Sequence, residues 1–574
     1  MSWNLKEKAD RLLAQEEGAA RKDWGGRVAF ALVYPNTYAV GMSNLGFQTI
    51  YHHLNALPDV VCERVFLPDP EDWPEYRRTG TPPFALESKR PLSDFDFVGF
   101  SVTYEGDYIN TLRLLHLAGI PLDPAARRPE DPMVCMGGVC AFANPEPLAP
   151  FMDFVVVGEG EEIVGEIVAA YRTAFGGRSW GTRNRAELWD RLQPIQGIYL
   201  PHRYAVRHHP DGTVAAVTAD GEAPGVVRKR RLANVDDFRT LSLLRTPNAE
   251  YGHLALLEVG KGCGRGCRFC LEGEIYRPVR HRSLETLRET VRELGKHSRR
   301  IGLVGACVSD YPWIGGLVRI IREEGLELSI SSLRADSLTE ELVAGLQQGG
   351  HRTLTIAPEA GTERLRRVIR KNISDEQLYA ACDMVRRHGI PNLKCYFMIG
   401  QPTETEADVE AIPDLAARLL DRLRVPSRSG RPFGRLTLSI SSFVPKPWTP
   451  FQWAPFDHVA ALEAKLGTIK AGVRRLGNVR VLHENPREAF LQALLARGDR
   501  RLAPFLARAA ELDGDWRTAL RAWDGDAAFY TTRARPLEET FPWDHLEVGV
   551  KKAGLVREWE RAATADAAPL GGRT

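Results

Sequence analysis

The chain has 574 residues, of which 44% are hydrophobic and 26% are charged, a balance that excludes disordered and fibrous classes. Its length predicts three or more domains of roughly 150 residues each. The formal net charge of +2 excludes a strongly basic or acidic chain, so charge alone predicts neither a nucleic-acid nor a membrane partner. No apolar segment reaches the roughly 18 residues of a membrane span, and the polar N-terminus lacks a signal core, so we expect a cytoplasmic protein.

Residues 1–174 are predicted to form a doubly wound parallel sheet of the α/β class. Helical segments separate most of the apolar segments RVAFALVYP, VCERVF, FDFVGFSV, DPMVCMGG and MDFVVVGEG, which are the predicted strands. Such sheets bind ligands at the carboxyl ends of their strands, where small and polar residues gather in this chain. These residues form either a ligand site or plain turns, and they are Gly41, Ser43, Asn44, Gly46, Ser101, Thr103, Gly137, Gly138, Gly158, Glu159 and Gly160.

Residues 175–249 are predicted to connect two domains. The segment RYAVRHHPDGTVAAVTA carries a Pro-Asp-Gly turn between two alternating stretches, which predicts a β-hairpin. The basic run from Val227 to Arg231 is interpreted as a solvated surface, with contact to phosphate as the alternative.

Residues 250–455 repeat the order of strand and helix six times, which predicts an incomplete (β/α)6 barrel. The predicted strands are LALLEV, RIGLVGA, ELSISS, TLTIAP, LKCYFMIG and RLTLSISSFVP. Catalytic groups in such a barrel belong at the carboxyl ends of the strands. Residues 456–574 have mostly amphipathic helical periodicity and are predicted to form a helical C-terminal domain.

Three of the nine cysteines, Cys263, Cys267 and Cys270, stand within eight residues, directly after the first predicted barrel strand. Thiols stay reduced in the cytoplasm, so this group predicts metal or redox chemistry rather than disulfides. A structural zinc site takes four ligands, and no fourth cysteine stands nearby in the sequence. An iron–sulfur cube also takes four thiolates as a rule, so three would leave one iron open for catalysis.

The residues around these thiols fit the same interpretation. Gly262, Gly264 and Gly266 would let the backbone wrap a cube, and Arg265 and Arg268 would offset its negative charge. Most of the scattered cysteines are predicted to be buried small hydrophobes, and these are Cys62, Cys135, Cys140, Cys307, Cys382 and Cys395.

The spacing Cys-x3-Cys-x2-Cys after a first barrel strand resembles the signature of the radical SAM superfamily. The resemblance implies that the three thiolates are the metal ligands of a [4Fe–4S] cluster and that S-adenosylmethionine chelates its open iron. One electron from the cluster would then cleave S-adenosylmethionine to a 5′-deoxyadenosyl radical, and a carrier such as flavodoxin or ferredoxin would supply that electron. By the same resemblance, the contacts to S-adenosylmethionine are Phe269, Gly305, Ala306, Ser309, Asp310, Ser331, Arg334, Glu359 and Ile399.

Three of these segments can be compared with the superfamily pattern. The segment at Gly305 departs from the common Gly-Gly-Glu form, whereas Glu359-Ala360-Gly361 is similar to a Glu-Ser-Gly element of related enzymes. The fifth predicted strand ends at Ile399-Gly400-Gln401-Pro402-Thr403-Glu404, which is similar to their Gly-x-Pro-x-Glu-Thr segment.

The N-terminal pattern resembles the cobalamin-binding domains that precede many radical SAM barrels. The matching segments are Asp96–Ser101, the turn at Gly137 and Gly138 with Asn144–Glu146, and Asp153 with Gly158–Glu161. The resemblance implies bound cobalamin, but the Asp-x-His-x-x-Gly motif that supplies a histidine to cobalt in other B12 proteins is absent. His52 and His53 are predicted to be surface or packing residues.

Five further segments resemble an uncharacterised subgroup of B12-binding-type radical SAM proteins, whose substrate the resemblance does not supply. These segments are Cys62–Phe66, Ile275–Arg280, Ser442–Phe451, Arg497–Arg501 and Pro542–His545.

The leading hypothesis is cobalamin-dependent methyl transfer to an unactivated carbon. One alternative is a cobalamin-free radical SAM enzyme whose N-terminal domain only shapes the substrate site. Others are an enzyme that modifies RNA, or an RNA-binding protein that uses its cluster for structure or sensing. The RNA alternatives rest on a group of basic and aromatic residues that could contact phosphates and stack on bases, unless it is a salt-bridged helix end. Its members are Arg497, Asp499, Arg500, Arg501, Trp516, Trp523 and Tyr530.

Overall fold

The computed structural model describes residues 2–176, 184–425 and 432–564 and shows a mixed α/β fold with parallel sheets. The domain limits at residues 174, 249 and 455 remain predictions. Backbone segments on the two sides of each limit pair with one another. No helix of the described chain is long and apolar enough to cross a lipid bilayer.

The N-terminal sheet contains all five predicted strands and one more. Its strands are Val28–Tyr34 (β1), Val60–Phe66 (β2), Phe97–Ser101 (β3), Met133–Gly137 (β4), Phe154–Val156 (β5) and Ile198–Tyr199 (β6). They lie in the order β2-β1-β3-β4-β5-β6, and only β6 runs antiparallel to its neighbour. Every residue of β1 is buried, as expected for a parallel strand with helices on both faces. The winding reverses where β1 lies between β2 and β3, which is where doubly wound sheets bind ligands.

Helices cover both faces of this sheet and continue into the connecting region. They are Trp3–Ala14 (α1), Tyr38–Gly41 (α2), Leu45–Ala56 (α3), Trp73–Thr79 (α4), Tyr108–Leu117 (α5), Val139–Ala143 (α6), Gly160–Phe175 (α7) and Arg185–Leu192 (α8). The predicted hairpin is confirmed by the antiparallel strands Tyr204–His208 (β7) and Val214–Ala219 (β8).

The second half of the chain forms two parallel sheets that contain the six predicted strands. The strands from the connector onward are Val227–Arg228 (β9), Ala255–Glu258 (β10), Gly260–Lys261 (β11), Arg280–His281 (β12), Arg300–Val304 (β13), Glu327–Ile330 (β14), Thr353–Glu359 (β15), Asn392–Ile399 (β16), Arg435–Ser442 (β17), Val479–His483 (β18) and Leu546–Glu547 (β19). The sheets have the orders β10-β13-β14 and β15-β16-β17-β18, and an isolated bridge between Leu333 and Ile356 links them. Within the described ranges the strands form no closed barrel.

Strand β18 lies in the region that was predicted to be mostly helical. Its valines alternate with the exposed residues Arg480 and Leu482. This pattern suits a strand at the edge of a sheet, because one face and one side of such a strand contact solvent. The remaining helices are Glu272–Ile275 (α9), Leu284–Gly295 (α10), Ile314–Glu323 (α11), Glu340–Gln348 (α12), Glu363–Val368 (α13), Asp375–Arg387 (α14), Glu406–Arg424 (α15), Val459–Val473 (α16), Pro486–Arg497 (α17), Ala503–Glu511 (α18), Trp516–Ala522 (α19), Ala527–Tyr530 (α20) and Lys552–Thr564 (α21).

The C-terminal helices pack against the N-terminal sheet. Phe505 and Leu506 of α18 belong to the same buried apolar cluster as Leu112 and Leu115 of α5. At the ends of the strands, Asn144 donates a hydrogen bond of 2.8 Å to the carbonyl of Gly498. Because the chain returns to its first sheet in this way, the sheet edge is held against the cysteine-bearing half of the molecule.

Candidate active site

The three clustered cysteines lie on the loop that follows β11. Because β11 directly follows β10, this loop lies beyond the carboxyl end of β10, the first strand of the sheet β10-β13-β14. Glycines shape this loop, because Gly262 and Gly266 have φ angles of +85° and +68°, which side chains rarely tolerate. A Cβ atom at Gly262 would lie 2.6 Å from the carbonyl oxygen of Tyr276, so the loop also packs too closely for a larger residue there. The predicted role of the glycines in this loop therefore has a structural basis at these two positions.

Ion pairs tie the cysteine loop to its neighbours. Arg265 makes a two-pronged contact of 2.5 Å with Asp310, and Arg268 lies 3.1 Å from Glu558 of α21. Both predicted cations therefore have carboxylate partners. The cation nearest a thiol is instead Arg334, whose guanidinium lies 3.8 Å from the sulfur of Cys267.

A fourth thiol, from Cys307, lies against Cys263. Cys307 follows β13 and is only half-buried, whereas the other five scattered cysteines are buried as predicted. Its hydrogen bond lowers the pKa of the Cys263 thiol to about 6, while burial raises the pKa of Cys270 to about 12. The sequence separation of 44 residues concealed this neighbour, and only its position after the second strand of this sheet could have indicated it.

The loop has the donors that an iron–sulfur cube needs. No three His, Cys, Asp or Glu side chains in the described ranges converge tightly enough to hold a single metal ion. A cube presents separate iron atoms, so its thiolate ligands need not converge on one point. Three thiols on one glycine-rich loop, with Arg334 beside Cys267, fit such a group.

Several of the residues predicted to contact S-adenosylmethionine already have partners in the structure. Asp310 binds Arg265, Ser309 accepts a hydrogen bond of 2.7 Å from Ser337, and Glu359 lies 3.0 Å from the ammonium of Lys371. Glu359 also has a φ of +70°, an uncommon conformation of the kind that clusters at functional sites. Phe269 packs on a small apolar cluster, Ile399 is buried, and Ser331 is exposed, whereas Gly305 and Ala306 follow directly after β13.

A cavity of about 620 Å³ lies between the edge of the N-terminal sheet and the cysteine-bearing segment. Residues just before and just after the three cysteines reach it, namely Lys261, Leu271 and Glu272. Nine of the eleven predicted sheet-edge residues also line it, and these are Asn44, Gly46, Ser101, Thr103, Gly137, Gly138, Gly158, Glu159 and Gly160. The cavity therefore joins the predicted sheet-edge residues to the segments that flank the cysteines, while the three cysteines themselves lie outside its lining.

Two predicted sheet-edge residues do not line this cavity. A Cβ atom at Gly41 would lie 2.6 Å from the ring of Phe66, so this glycine serves helix-to-strand packing. The hydroxyl of Ser43 accepts a hydrogen bond of 3.0 Å from the amide of Tyr251 and faces another side of the domain. No histidine lines the cavity among the described residues. His52 is exposed and His53 packs edge-on against Phe238, as predicted for both.

Apart from Glu159 and Glu161, the sequence interpretation missed the charged groups of the cavity wall. Lys261 lies 2.9 Å from Glu161, and Glu159 forms an ion pair with Arg280. Glu272 projects into the cavity, and burial by the surrounding protein raises the pKa of its carboxyl to about 7. Its position two residues after Cys270 was the only sequence signal that could have indicated this role.

Comparison with known proteins decides the family. The family described as "Radical SAM superfamily" matches residues 257–416, the segment with the three cysteines and the strands from β13 to β16. A second family, "Radical SAM proteins, N-terminal", matches residues 46–201. The chain belongs to the radical SAM superfamily. It is therefore a radical SAM enzyme, and the matched segment contains the three-cysteine loop.

Relatives of this radical SAM enzyme are known from archaea. It is 28% identical to the uncharacterized protein MJ0966 of Methanocaldococcus jannaschii, over 83% of this chain and 90% of the relative. It is 25% identical to the uncharacterized methyltransferase PH0819 of Pyrococcus horikoshii, over 50% of this chain and 59% of the relative.

A solved structure shares the fold of this radical SAM enzyme. It is the radical S-adenosylmethionine methyltransferase TsrM from Kitasatospora setae, with cobalamin and a [4Fe–4S] cluster bound. The TM-score is 0.52 at 16% identity, and the match covers 86% of this chain and all of the solved chain. The mixed α/β architecture is therefore that of a known cobalamin-containing radical SAM enzyme.

The basic and aromatic group on which the RNA alternatives rest is internal to the fold. Arg497 is fully buried and donates to the carbonyl of Ala454, and Arg500 forms a 2.7 Å ion pair with Glu146 of the N-terminal half. Arg501 and Tyr530 both contact Asp499. Of the two interpretations of this group, the structure supports the salt-bridged helix end, because these guanidinium groups contact buried carbonyls and carboxylates.

Proposed function

We propose that this radical SAM enzyme transfers a methyl group to an unactivated carbon and uses a [4Fe–4S] cluster, S-adenosylmethionine and a corrinoid. The observation that carries the proposal is the shared cavity, which has the sheet-edge glycines on one wall and the residues flanking the three cysteines on the other. The fold neighbour TsrM was solved with both a cluster and cobalamin, which supports the same pair of groups here.

The proposal assigns the cluster and S-adenosylmethionine to the cysteine side. Cys263, Cys267 and Cys270 would hold three irons, and the carboxyl ends of β10 and β13–β17 would act as an open barrel around the fourth. Arg334 and Lys371 lie on this side, and their positive charge suits a carboxylate ligand. When bound, the cluster supplies the electron that cleaves S-adenosylmethionine, and the corrinoid supplies the methyl group.

The proposal assigns the corrinoid to the sheet side. A flat macrocycle can lie against backbone that carries no side chains, and Gly137, Gly158 and Gly160 supply such backbone at adjacent strand ends. The walls of the cavity would exclude water from a reactive radical, since apolar side chains line most of its surface. Glu272, with a carboxyl that titrates near neutrality, could hold or release a proton beside the substrate.

Anaerobic cleavage of S-adenosylmethionine tests the radical step. Reconstituted protein with a strong reductant should release 5′-deoxyadenosine, which mass spectrometry detects, because the open iron would anchor the cosubstrate beside the electron source. The Glu359→Gln variant should bind S-adenosylmethionine more weakly, since it alters a strand-end carboxylate within the site. Failure of a protein with a verified intact cluster to form any deoxyadenosine would contradict the proposal.

The cavity also predicts the state of the cobalt. Because no described cavity residue is a histidine, a bound corrinoid should have no imidazole from the protein on its metal. The Co(II) electron paramagnetic resonance spectrum of the complex should therefore lack the nitrogen superhyperfine splitting of an axial imidazole. Clear splitting of that kind, lost on mutation of a histidine, would contradict this placement. If the chain never retains a corrinoid, the cobalamin-free radical SAM alternative replaces methyl transfer.

A further inference from the structure

A shallow pocket of about 260 Å³ lies beside the cysteine loop. A Cβ atom at Gly266 would lie 3.0 Å from the guanidinium of Arg277 and 3.3 Å from that of Arg370. Both arginines line the pocket, which therefore lies directly over the backbone between Cys263 and Cys267. This is a different face of the loop from the one that reaches the large cavity.

The charge of this pocket is strongly biased. Five cationic side chains line it against two carboxylates, and we call these cations the basic patch; they are Arg277, Arg370, Lys551, Arg557 and Arg561. Glu274 pairs with Arg277, and Glu558 pairs with Arg370 and Arg561. Lys551 and Arg557 form no ion pair with any described residue, so their charges are available to a partner. The whole chain carries a net charge of only +2, so the patch is a local feature.

The patch combines residues from segments that are distant in the sequence. Helix α21 lies against the cysteine loop through Glu558, which contacts both Arg268 and Arg370, and it thereby carries Arg557 and Arg561 to the loop. Arg370 itself has a φ of +57°, and Asn372 one of +51°. Two residues other than glycine therefore have this uncommon conformation within one short turn. Backbone conformations of this kind are strained and cluster at functional sites.

We propose that the basic patch is the docking surface for a small acidic electron-carrier protein of the flavodoxin or ferredoxin type. The inference rests on the proposed function, because it requires a cluster on the three cysteines. Electron transfer between proteins falls steeply with distance, and the patch lies against the cysteine loop at Gly266, next to Cys267. One electron would leave the reduced carrier and enter the cluster, and no atom or proton needs to move with it.

Charge complementarity favours this partner over nucleic acid. An acidic carrier would meet the unpaired Lys551 and Arg557, and such steering raises association rates by roughly ten- to a thousand-fold at low salt. A single-stranded nucleic acid would also require exposed aromatic residues for stacking, and no aromatic residue lines the described pocket.

The test measures the rate of cluster reduction at low ionic strength in a Lys551→Glu, Arg557→Glu double variant. With reduced flavodoxin as the donor, the rate should fall about ten-fold or more, and the deficit should shrink as salt screens the charges. With photoexcited deazaflavin, a small neutral donor, the rate should equal that of the wild type. The matched control is Arg474→Glu, Arg475→Glu, which reverses two exposed charges before β18, at the amino end of the sheet.

The outcomes separate this inference from the proposed function. An unchanged rate with flavodoxin, or an equal loss in the control variant, would overturn the docking site while leaving the enzyme intact. A variant that reduces normally with flavodoxin but loses affinity for RNA would reassign the patch to nucleic acid. If deazaflavin cannot reduce the wild-type protein at all, the proposed cluster fails first.

Discussion

Replacing Cys263, Cys267 and Cys270 together with alanine should abolish iron binding. The wild-type protein, reconstituted anaerobically, should contain about four irons per chain and absorb broadly near about 400 nm, as iron–sulfur cubes do. The triple variant should lose nearly all of both, because the single thiol of Cys307 cannot replace three ligands. Iron analysis and the optical spectrum measure the effect, and circular dichroism shows whether the apoprotein is still folded.

Cys307 supplies the matched control for this experiment. It lies against Cys263, yet it belongs to a different strand end, and the three-cysteine loop holds the cube without it in our proposal. The Cys307→Ala variant should therefore keep about four irons. Iron retained at the wild-type level in the triple variant would contradict the cysteine assignment, and loss of iron in Cys307→Ala would make Cys307 an additional ligand.

The strands were predictable because their signals are local. Each of the five apolar segments of the first sheet is long enough to cross a buried parallel sheet, and the structure places a strand within each. The same holds for the six segments of the second half. Strand β18 was missed because it is short and partly exposed, so its own alternation carried little weight.

The sequence predicted the site only at positions that follow the ends of predicted strands. Asn44, Gly138 and Gly158 follow different strands, and parallel pairing brings such residues to one edge without further information. Gly41 and Ser43 follow the same strand as Asn44, but whether a residue faces the cavity or a neighbouring helix depends on packing that the local sequence does not encode. The contacts of Cys307 with Cys263, and of Arg500 with Glu146, likewise join segments far apart in the chain.

The amino-acid composition around residues 497–501 did not show which arginines are buried or paired. Arg497, Arg500 and Arg501 stand beside aromatic residues and so resemble a nucleic-acid surface. In the structure they bind carbonyls and carboxylates, and Arg500 connects the C-terminal region to Glu146 of the N-terminal half. A sequence shows which side chains are cationic, but it does not show which of them already have a carboxylate opposite.

Filling the sheet edge should separate the corrinoid site from the cluster. Gly137 is the last residue of β4 and lines the cavity, and a Cβ atom there would meet only Val156, at an ordinary distance of 3.8 Å. The Gly137→Phe variant should therefore fold and direct its ring into the space that the macrocycle requires. Gly138 is less suitable, because a Cβ atom at that position would lie 2.5 Å from the carbonyl oxygen of Val102 and disturb the sheet itself.

Gel filtration after incubation with hydroxocobalamin measures the effect. The wild-type protein should retain the corrinoid, and Gly137→Phe should retain at least about ten-fold less, since a misplaced ring in a close-packed site costs on the order of 1–3 kcal/mol. Iron content should be unchanged in the variant, because none of the three cysteines lines the cavity. Gly165→Phe, on the same domain but with no atom within 4 Å of its Cβ, should retain corrinoid normally. Full retention by Gly137→Phe would remove the corrinoid from this cavity, whereas equal loss in Gly165→Phe would reveal a general effect on the domain rather than a filled site.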